Sequence, residues 1–291
     1  MKKILVTGAS GFIGNYVITD LLRSGFQVVA TSSTLANIED KPWKAQVEYI
    51  PFNFKDLSHT TDYYSFFQQP DLLIHLAWQG LPNYKALFHF EENLSGQYFF
   101  LKNMITNGLK DLTVTGTCFE YGFVEGCLNE SLVTNPSNAY AIAKDTLRKF
   151  LEQLQNDIPF SLKWIRLFYM FGKGQSAKSL FSQLDKAVEH GEATFNMSGG
   201  EQVRDYLPVE QVAEYIRAIA TQQAVTGIVN CCSGQPIKVK EIVQEYLRNK
   251  KATISLNFGY YPYPDYEPME FWGDNKKLKT ILNNERSDRA I

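Results

Sequence analysis

Cysteine and histidine are scarce in this chain, which has 291 residues but only four of each. The cysteines stand at positions 118, 127, 231 and 232, and no Cys/His spacing matches a zinc site. Four cysteines in a chain of this length do not form the disulfide framework of a small secreted domain. We therefore expect buried, reduced thiols, no metal site and a cytoplasmic location.

A charge excess and a long apolar run are also missing. Lys plus Arg total 29 and Asp plus Glu total 31, for a net charge of −2, which argues against nucleic-acid binding. No apolar run reaches the ~18 residues that a membrane span needs. The two N-terminal lysines precede only three apolar residues, whereas a signal peptide needs roughly 7–15. The sequence therefore predicts neither a nucleic-acid partner nor membrane association.

What the sequence does contain is a regular alternation of apolar strand patterns and amphipathic helix patterns, which predicts an α/β fold with a parallel sheet. The predicted strands are 4–6, 26–30, 47–50, 72–76, 112–115, 162–167 and 227–230. The predicted helices are 15–24, 92–107, 139–155, 208–221 and 239–249. The alternation loosens after about residue 170, and the Tyr/Pro-rich stretch 259–268 is expected to be an ordered loop.

A glycine-rich segment joins the first strand to the first helix. It runs from Thr7 to Gly14, with glycines at positions 8, 11 and 14. Glycine lets the backbone turn tightly beside a pyrophosphate, and the helix N-terminus offers free N–H groups and a positive dipole end. In this strand–loop–helix context the segment predicts dinucleotide binding.

A tyrosine and a lysine stand four residues apart on the predicted helix 139–155. Tyr140 and Lys144 therefore share one helix face. An ammonium next to a phenol favours the phenolate and lowers the tyrosine pKa, which suits proton exchange with a substrate oxygen during hydride transfer. Thr117 follows the fifth strand, at the sheet edge where ligands bind, and its hydroxyl could hold the same oxygen.

These features, taken with further motifs, resemble the extended short-chain dehydrogenase/reductase family over nearly the whole chain. The matching motifs are Thr7 to Gly14, His75-Leu-Ala77, Asn93, Thr117, Tyr121-Gly122, Tyr140 with Lys144, Arg166 and Arg204-Asp205-Tyr206. The resemblance implies a Rossmann-type doubly wound parallel sheet at 1–170 and a smaller nucleotide-sugar lobe at 171–291, with segments around 203–232 returning to the first domain. It also implies a homodimer.

The same resemblance assigns roles to individual residues. Thr117, Tyr140 and Lys144 are expected to be catalytic. The cofactor is expected to contact the last two of these and a set drawn from the strand ends: Gly8, Ser10, Gly11, Phe12, Ile13, Gly14, Thr31, Ser32, Ser33, Asn53, Phe54, Leu76, Ala77, Trp78, Asn93, Thr115 and Leu167. The substrate is expected to contact a smaller set: Gln79, Cys118, Phe119, Tyr169 and Arg204, the last facing the diphosphate.

The end of the second strand departs from the pattern typical of NAD-specific sites, which place a carboxylate there. Residues 31–34 are Thr-Ser-Ser-Thr, and the nearest acids are Glu39 and Asp40. Hydroxyl groups accept a 2′-phosphate and no acid repels it, although no arginine is present either. This predicts NADPH as cofactor, with NADH as the alternative.

A second departure follows Thr117, where 4,6-dehydratases of the family carry an Asp-Glu pair. Cys118 and Phe119 stand there instead and cannot move protons at C5 and C6, so dehydration is disfavoured. His75 is expected to be a core histidine, because it lies in a buried strand. Tyr84 and His89 could reach the sugar or lie at the surface, and Tyr260 to Tyr266 could stack on the ligand or pack the small lobe.

Two motifs narrow the resemblance further. The segments 116–122 (GTCFEYG) and 259–268 (GYYPYPDYEP) are similar to a bacterial surface-polysaccharide group that includes reductases of dTDP-4-keto-6-deoxyglucose forming dTDP-D-fucose. The sequence thus predicts NAD(P)H-dependent reduction of the 4-keto group of a nucleotide-activated 4-keto-6-deoxysugar. The alternatives are a C4 epimerase that retains NAD and a non-catalytic cofactor-binding protein.

Overall fold

A seven-stranded parallel sheet forms the centre of the computed structural model, which describes residues 1–33 and 38–289. Thr34 of the predicted cofactor loop lies outside the described residues. The strand order is β12-β7-β5-β4-β1-β2-β3. The strands are β1 (Lys3–Thr7), β2 (Gln27–Thr31), β3 (Glu48–Tyr49), β4 (Leu72–His75), β5 (Asp111–Thr117), β7 (Ser161–Leu167) and β12 (Gly227–Cys231).

Helices cover both faces of this sheet because successive strand residues point to opposite sides. Ile4 and Val6 pack with α1 (Phe12–Arg23) and α6 (Val209–Thr221). Leu5 lies on the opposite face. The helices of that face are α2 (Tyr63–Phe66), α3 (Ser95–Thr106) and α4 (Ala139–Asp157). This doubly wound arrangement confirms the predicted fold class.

A smaller lobe has its own apolar core between α5 (Leu180–Glu189) and α7 (Val239–Lys250). Short strands pair around it and along the lobe boundary: β6 (Gly126–Leu128), β8 (Tyr169–Phe171), β9 (Thr194–Asn196), β10 (Val203–Arg204), β11 (Tyr206–Pro208), β13 (Ile237–Lys238), β14 (Ser255–Asn257) and β15 (Phe271–Gly273). The last helix, α8 (Lys276–Arg289), buries Leu278 and Ile281 in the core under α1 and α6. It therefore packs with the first domain, although it follows the predicted boundary at 171.

Two helices begin at positions that the sequence pattern did not predict. Helix α1 begins at Phe12, directly after its N-cap Gly11, rather than at 15. Helix α3 begins at Ser95 and is preceded by a π-helical turn, His89–Leu94, within the range predicted as one α-helix. Among the residues that the structure describes, no helix is long and apolar enough to cross a membrane.

Candidate active site

A cleft of about 1080 Å³ opens at the carboxyl ends of the parallel strands, between the sheet and the smaller lobe. The strand order reverses between β1 and β4, and open α/β sheets bind ligands beside such a reversal. The glycine loop after β1 lines one part of the cleft, and Thr117 at the end of β5 lines another. The fold alone therefore brings these two sequence motifs to one cavity.

The glycine loop is shaped so that its backbone can lie against a ligand. Gly8 has φ +71°, and a Cβ there would lie 2.9 Å from the Ala77 nitrogen. At Gly14 a Cβ would lie 2.3 Å from the Gly8 carbonyl oxygen, so a side chain cannot fit. Gly11 is the N-cap of α1 and supplies no side chain to its first N–H groups. A bare loop ending at an uncapped helix N-terminus fits a pyrophosphate.

Helix α4 carries Tyr140 and Lys144 into the cleft. The Asn138 side chain caps this helix by accepting a hydrogen bond from the Ala141 N–H at 2.9 Å. Lys144 is fully buried, and its ammonium donates to the Thr115 carbonyl at 2.8 Å and lies 4.1 Å from the centre of the Trp78 ring. Burial lowers the pKa of Lys144 to about 7.

The tyrosine is packed among other rings on the same wall. The Tyr140 ring lies 5.7 Å from the ring of Tyr84 and 6.0 Å from that of Trp78, measured between centroids. Burial, followed by the proximity of Tyr84 and Glu120, raises the pKa of Tyr140 above its usual range. The expected lowering of this pKa by Lys144 is therefore not what the structure shows, because burial of the phenol dominates.

Thr117 is held by its own local turn. Its Oγ1 accepts a hydrogen bond from the Phe119 N–H at 3.3 Å, and its backbone N–H donates to the Glu120 carboxylate at 2.9 Å. Together these bonds form a capping box at the start of the 3₁₀ turn Cys118–Tyr121. The Thr117 hydroxyl hydrogen can then point towards a ligand oxygen.

More than half of the residues predicted to contact the cofactor line this cleft: Gly8, Gly11, Phe12, Ile13, Gly14, Leu76, Trp78, Thr115, Tyr140, Lys144 and Leu167. The others lie outside its lining: Ser10, Thr31, Ser32, Ser33, Asn53, Phe54, Ala77 and Asn93. The Ser32 hydroxyl shares a 2.8 Å hydrogen bond with the Tyr49 hydroxyl. Asn53 accepts a hydrogen bond from the Lys55 N–H, so its side chain caps a short turn.

Of the residues predicted to contact the substrate, three line the cleft: Cys118, Phe119 and Tyr169. The other two, Gln79 and Arg204, do not.

Arg204 is buried, and its guanidinium is bound by protein groups rather than turned to the cleft. It donates to the carbonyl oxygens of Pro268 and Met269 and pairs with the Glu267 carboxylate at 3.0 Å. Glu267 also accepts a hydrogen bond from the Tyr169 hydroxyl. In this arrangement Arg204 holds the segment 267–269 against the cleft, and its predicted contact with a diphosphate stays a prediction.

Part of the cleft wall either was not predicted to bind ligands or, at Tyr84 and Tyr266, was predicted to do so only as one of two alternatives. It comes from the loop 81–86, from positions between 175 and 179, and from Asp265 and Tyr266. Lys85 and Asp265 form a 3.0 Å ion pair that joins the first domain to the smaller lobe. In the sequence, the indication of this part of the wall was the tyrosine-rich segment 259–268, for which stacking on the ligand and packing of the small lobe were both predicted as alternatives. Tyr266 packs near Tyr84 at 5.9 Å and lines the cleft.

Both histidines near the site are buried. His75 shares a 2.9 Å hydrogen bond with Thr7 Oγ1, and burial lowers its pKa to about 3, so it is a neutral core residue as predicted. His89 accepts a hydrogen bond from the Trp78 indole N–H at 3.1 Å. His89 is therefore buried rather than at the surface, and its hydrogen bond holds the Trp78 ring in place.

Two relatives match this chain over nearly its whole length. The chain is 30% identical over 273 residues to a dTDP-6-deoxy-L-talose 4-dehydrogenase (NAD(+)) of Aggregatibacter actinomycetemcomitans, covering 93% of this chain and 98% of the relative. It is 26% identical over 300 residues to a GDP-6-deoxy-D-talose 4-dehydrogenase of the same organism, covering 99% and 95%.

A solved structure has the same fold. It is the UDP-glucuronic acid 4-epimerase of Bacillus cereus in complex with UDP-glucuronic acid and NAD, with a TM-score of 0.82 and 22% identity over 97% of this chain and 93% of that one. The profile described as the NAD dependent epimerase/dehydratase family matches residues 4–232, which is most of the chain. With its glycine loop, its Tyr/Lys helix and its doubly wound sheet, this chain belongs to the NAD dependent epimerase/dehydratase family.

Proposed function

We propose that this protein reduces the 4-keto group of a nucleotide-activated 4-keto-6-deoxysugar, for example dTDP-4-keto-6-deoxyglucose to dTDP-D-fucose. The observation that carries the proposal is that Thr117, Tyr140 and Lys144 share one wall of the cleft that the glycine loop also lines. Two relatives support it, because their names place the chemistry at C4 of a 6-deoxytalose. Such a product would serve surface-polysaccharide precursor synthesis.

The three residues divide the work at the substrate oxygen. A nicotinamide dinucleotide, when bound, supplies the hydride for C4. Tyr140 donates the proton to the C4 oxygen, and its raised pKa keeps it in the protonated form that a donor needs. Thr117 donates a hydrogen bond to the same oxygen, and Lys144 holds positive charge beside it when protonated.

The residues that follow Thr117 on the cleft wall do not provide the acid and base that dehydration requires. The two residues after Thr117 are Cys118 and Phe119, and burial raises the pKa of the Cys118 thiol far above neutrality. The next acid, Glu120, is fully buried and bound to Arg166 and Trp164. None of the three can remove a proton from C5 of a sugar or deliver one to C6, which supports reduction over dehydration.

We propose NADPH as the preferred cofactor. The chain carries neither an acid nor an arginine from position 31 to position 37, so a 2′-phosphate meets hydroxyl groups without repulsion. Titration of both reduced cofactors by fluorescence tests this preference, and Ser32→Asp should reduce it by charge repulsion. Tighter binding of NADH by the wild-type protein would refute it, in line with the NAD(+) in the name of one relative.

Two other functions stay open to the same experiment. A C4 epimerase would retain NAD and interconvert 4-hydroxy sugars, as the names of several relatives and solved structures describe for those proteins. A non-catalytic binding protein would bind the dinucleotide and turn nothing over.

The deciding assay incubates purified protein with NADPH or NADH and a panel of dTDP-, GDP-, CDP- and UDP-linked 4-keto-6-deoxysugars. Absorbance at the reduced nicotinamide band follows the reaction, and NMR identifies the product. The proposal requires one reduced cofactor consumed for each 4-hydroxy sugar formed. Turnover of a 4-hydroxy sugar without added cofactor would identify an epimerase instead, and no turnover across the panel would overturn the proposal.

A further inference from the structure

We propose that Glu120 is a positioning residue of this active site, which fixes Thr117 in place and sets a negative charge behind Tyr140 and Lys144. The inference rests on the proposed function for its kinetic test, but not for its geometric basis. Glu120 stands one place beyond the two positions that carry the acid pair in the dehydratases. Its contacts in the structure give it a different task.

The Glu120 carboxylate is the centre of a fully buried hydrogen-bond network. It accepts from the backbone N–H of Thr117 at 2.9 Å, from the Trp164 indole N–H at 3.0 Å and from Arg166 Nε at 2.8 Å. Each partner is a donor and Arg166 carries a positive charge, so the site binds the ionised carboxylate, although burial outweighs these donors and raises the pKa of this group above its usual value. The Thr117 backbone is thereby tied to the neighbouring strand.

Strand register explains how the carboxylate reaches both strands. In the β5–β7 pair, Gly116 stands opposite Arg166 and Val114 stands opposite Trp164. Gly116 leaves the space that the network needs, because a Cβ there would lie 2.2 Å from Trp164 Nε1 and 2.3 Å from Glu120 Oε1. The glycine before the catalytic threonine and the acid after it therefore belong to one arrangement.

The charge of Glu120 also acts on the two groups in front of it. Burial is the main cause of the raised pKa of Tyr140, and Tyr84, Glu120 and Cys118 add to it. At Lys144, Glu120 is the charged neighbour that raises the pKa against the larger, lowering effect of burial. The nearby imidazoles of His75 and His89 have lowered pKa values and are neutral. Glu120 therefore favours the protonated forms of both Tyr140 and Lys144.

The test compares Glu120→Gln with a matched control on the same two strands. Asp111 is also a buried carboxylate paired with a cation, Lys163 at 2.6 Å, but it lies at the opposite end of β5, about 20 Å from Thr117 along the strand. The Asp111→Asn variant therefore removes a comparable ion pair without touching the site. Both variants are assayed with dTDP-4-keto-6-deoxyglucose and saturating reduced cofactor over a pH series.

For Glu120→Gln we expect kcat to fall by about 10²-fold with KM within a few-fold, because Thr117 loses its fixed position. The pH at which kcat declines on the basic side should also move down, because Lys144 loses the negative charge that raises its pKa and Arg166 is left unpaired. Asp111→Asn should lower the unfolding temperature and leave this pH profile in place. An unchanged profile in Glu120→Gln, or an equal shift in both variants, overturns the inference.

A second variant separates position from charge and also covers the case in which Glu120→Gln does not fold. Glu120→Asp keeps the carboxylate but shortens its reach to Thr117, so kcat should fall while the basic side of the pH profile stays in place. A kcat equal to that of the wild type would show that the position of Thr117 does not depend on this residue.

One measurement needs no substrate. ¹³C NMR titration of lysine side chains should show a lower pKa for Lys144 in Glu120→Gln than in the wild type, and no change in Asp111→Asn. A wild-type enzyme without turnover would refute the proposed function alone, whereas an unchanged Lys144 titration would refute the role of Glu120.

Discussion

Replacing Lys144 by Met should make the protein more stable at neutral pH, and the gain should shrink as the pH rises. The ammonium is 1% exposed, and burial lowers its pKa from 10.5 to about 7. The unfolded chain therefore binds this proton more tightly than the folded chain does. Linkage then requires the free energy of unfolding to increase with pH between these two values, and this component disappears with the lysine.

The size of the effect follows from the two pKa values. Each pH unit between them changes the free energy of unfolding by about 1.4 kcal/mol, and the change levels off near pH 7 as the folded protein itself becomes protonated. From pH 6 to pH 9, Lys144 should thus add about 2–3 kcal/mol to the stability of the wild type, a component that Lys144→Met lacks. The variant lacks the ammonium, and with it the hydrogen bond to Thr115 and the contact with Trp78, at both pH values. The pH dependence of these contacts in the wild type is already contained in the lowered pKa of Lys144.

Urea unfolding of the wild type and of Lys144→Met at pH 6 and pH 9 measures how much the change in unfolding free energy between these pH values differs between the two proteins. Lys149→Met is the matched control, because Lys149 lies on the same helix with 56% of its side chain exposed. The control should show the wild-type pH dependence. If Lys144→Met also keeps the wild-type pH dependence within about 0.5 kcal/mol, the lysine is not buried in the way that the structure describes.

Three substitutions test the chemistry of the cleft. Tyr140→Phe keeps the ring contacts and removes the acid, so single-turnover hydride transfer should slow by about 10²–10⁴-fold, and a rate within a few-fold of wild type would exclude Tyr140 as the donor. Thr117→Val should cost less, roughly 1–3 kcal/mol in kcat/KM, and an unchanged value would remove Thr117 from the substrate oxygen. Gly14→Ala places a Cβ 2.3 Å from the Gly8 carbonyl oxygen and should abolish dinucleotide binding in a fluorescence titration, whereas Gly96→Ala, with 3.4 Å to a flexible leucine side chain, should retain it.

The sheet could be predicted from the sequence because its strands are buried on both faces and so read as short, almost continuous apolar runs. Leu72–His75 is such a run, preceded by the polar Asp71 and followed by Leu76. The short strands of the smaller lobe carry no comparable signal, since two or three residues cannot show a periodicity. Helix α8 was missed for a related reason: it is strongly polar, and its described contribution to the core comes from Leu278 and Ile281, with Leu282 packed against it.

The sequence predicted which residues meet at the cleft where backbone topology decides their position, but not where side-chain partners decide it. The ends of β1, β4 and β5 meet at one edge, so the glycine loop, Trp78 and Thr117 follow from the strand order. The partners of Arg204 are residues 267–269, more than 60 positions away, and no local pattern reports such a contact. The π-helical turn that buries His89 could not be predicted either, because its apolar pattern does not differ from that of an α-helix.

Burial acts on Tyr140 and Lys144 in opposite senses, and this bears on the direction of the reaction. It raises the pKa of the phenol and lowers that of the ammonium, so both groups are driven towards their neutral forms. A neutral phenol has a proton to give, which is what reduction of a ketone requires, whereas oxidation of an alcohol requires a phenolate. The lysine can assist a phenolate only while it is charged, which with a pKa of about 7 is the case below neutrality, where the phenolate is least stable. Charge from Glu120 opposes burial at Lys144 but adds to it at Tyr140, so the network behind Thr117 favours the donor form of the tyrosine.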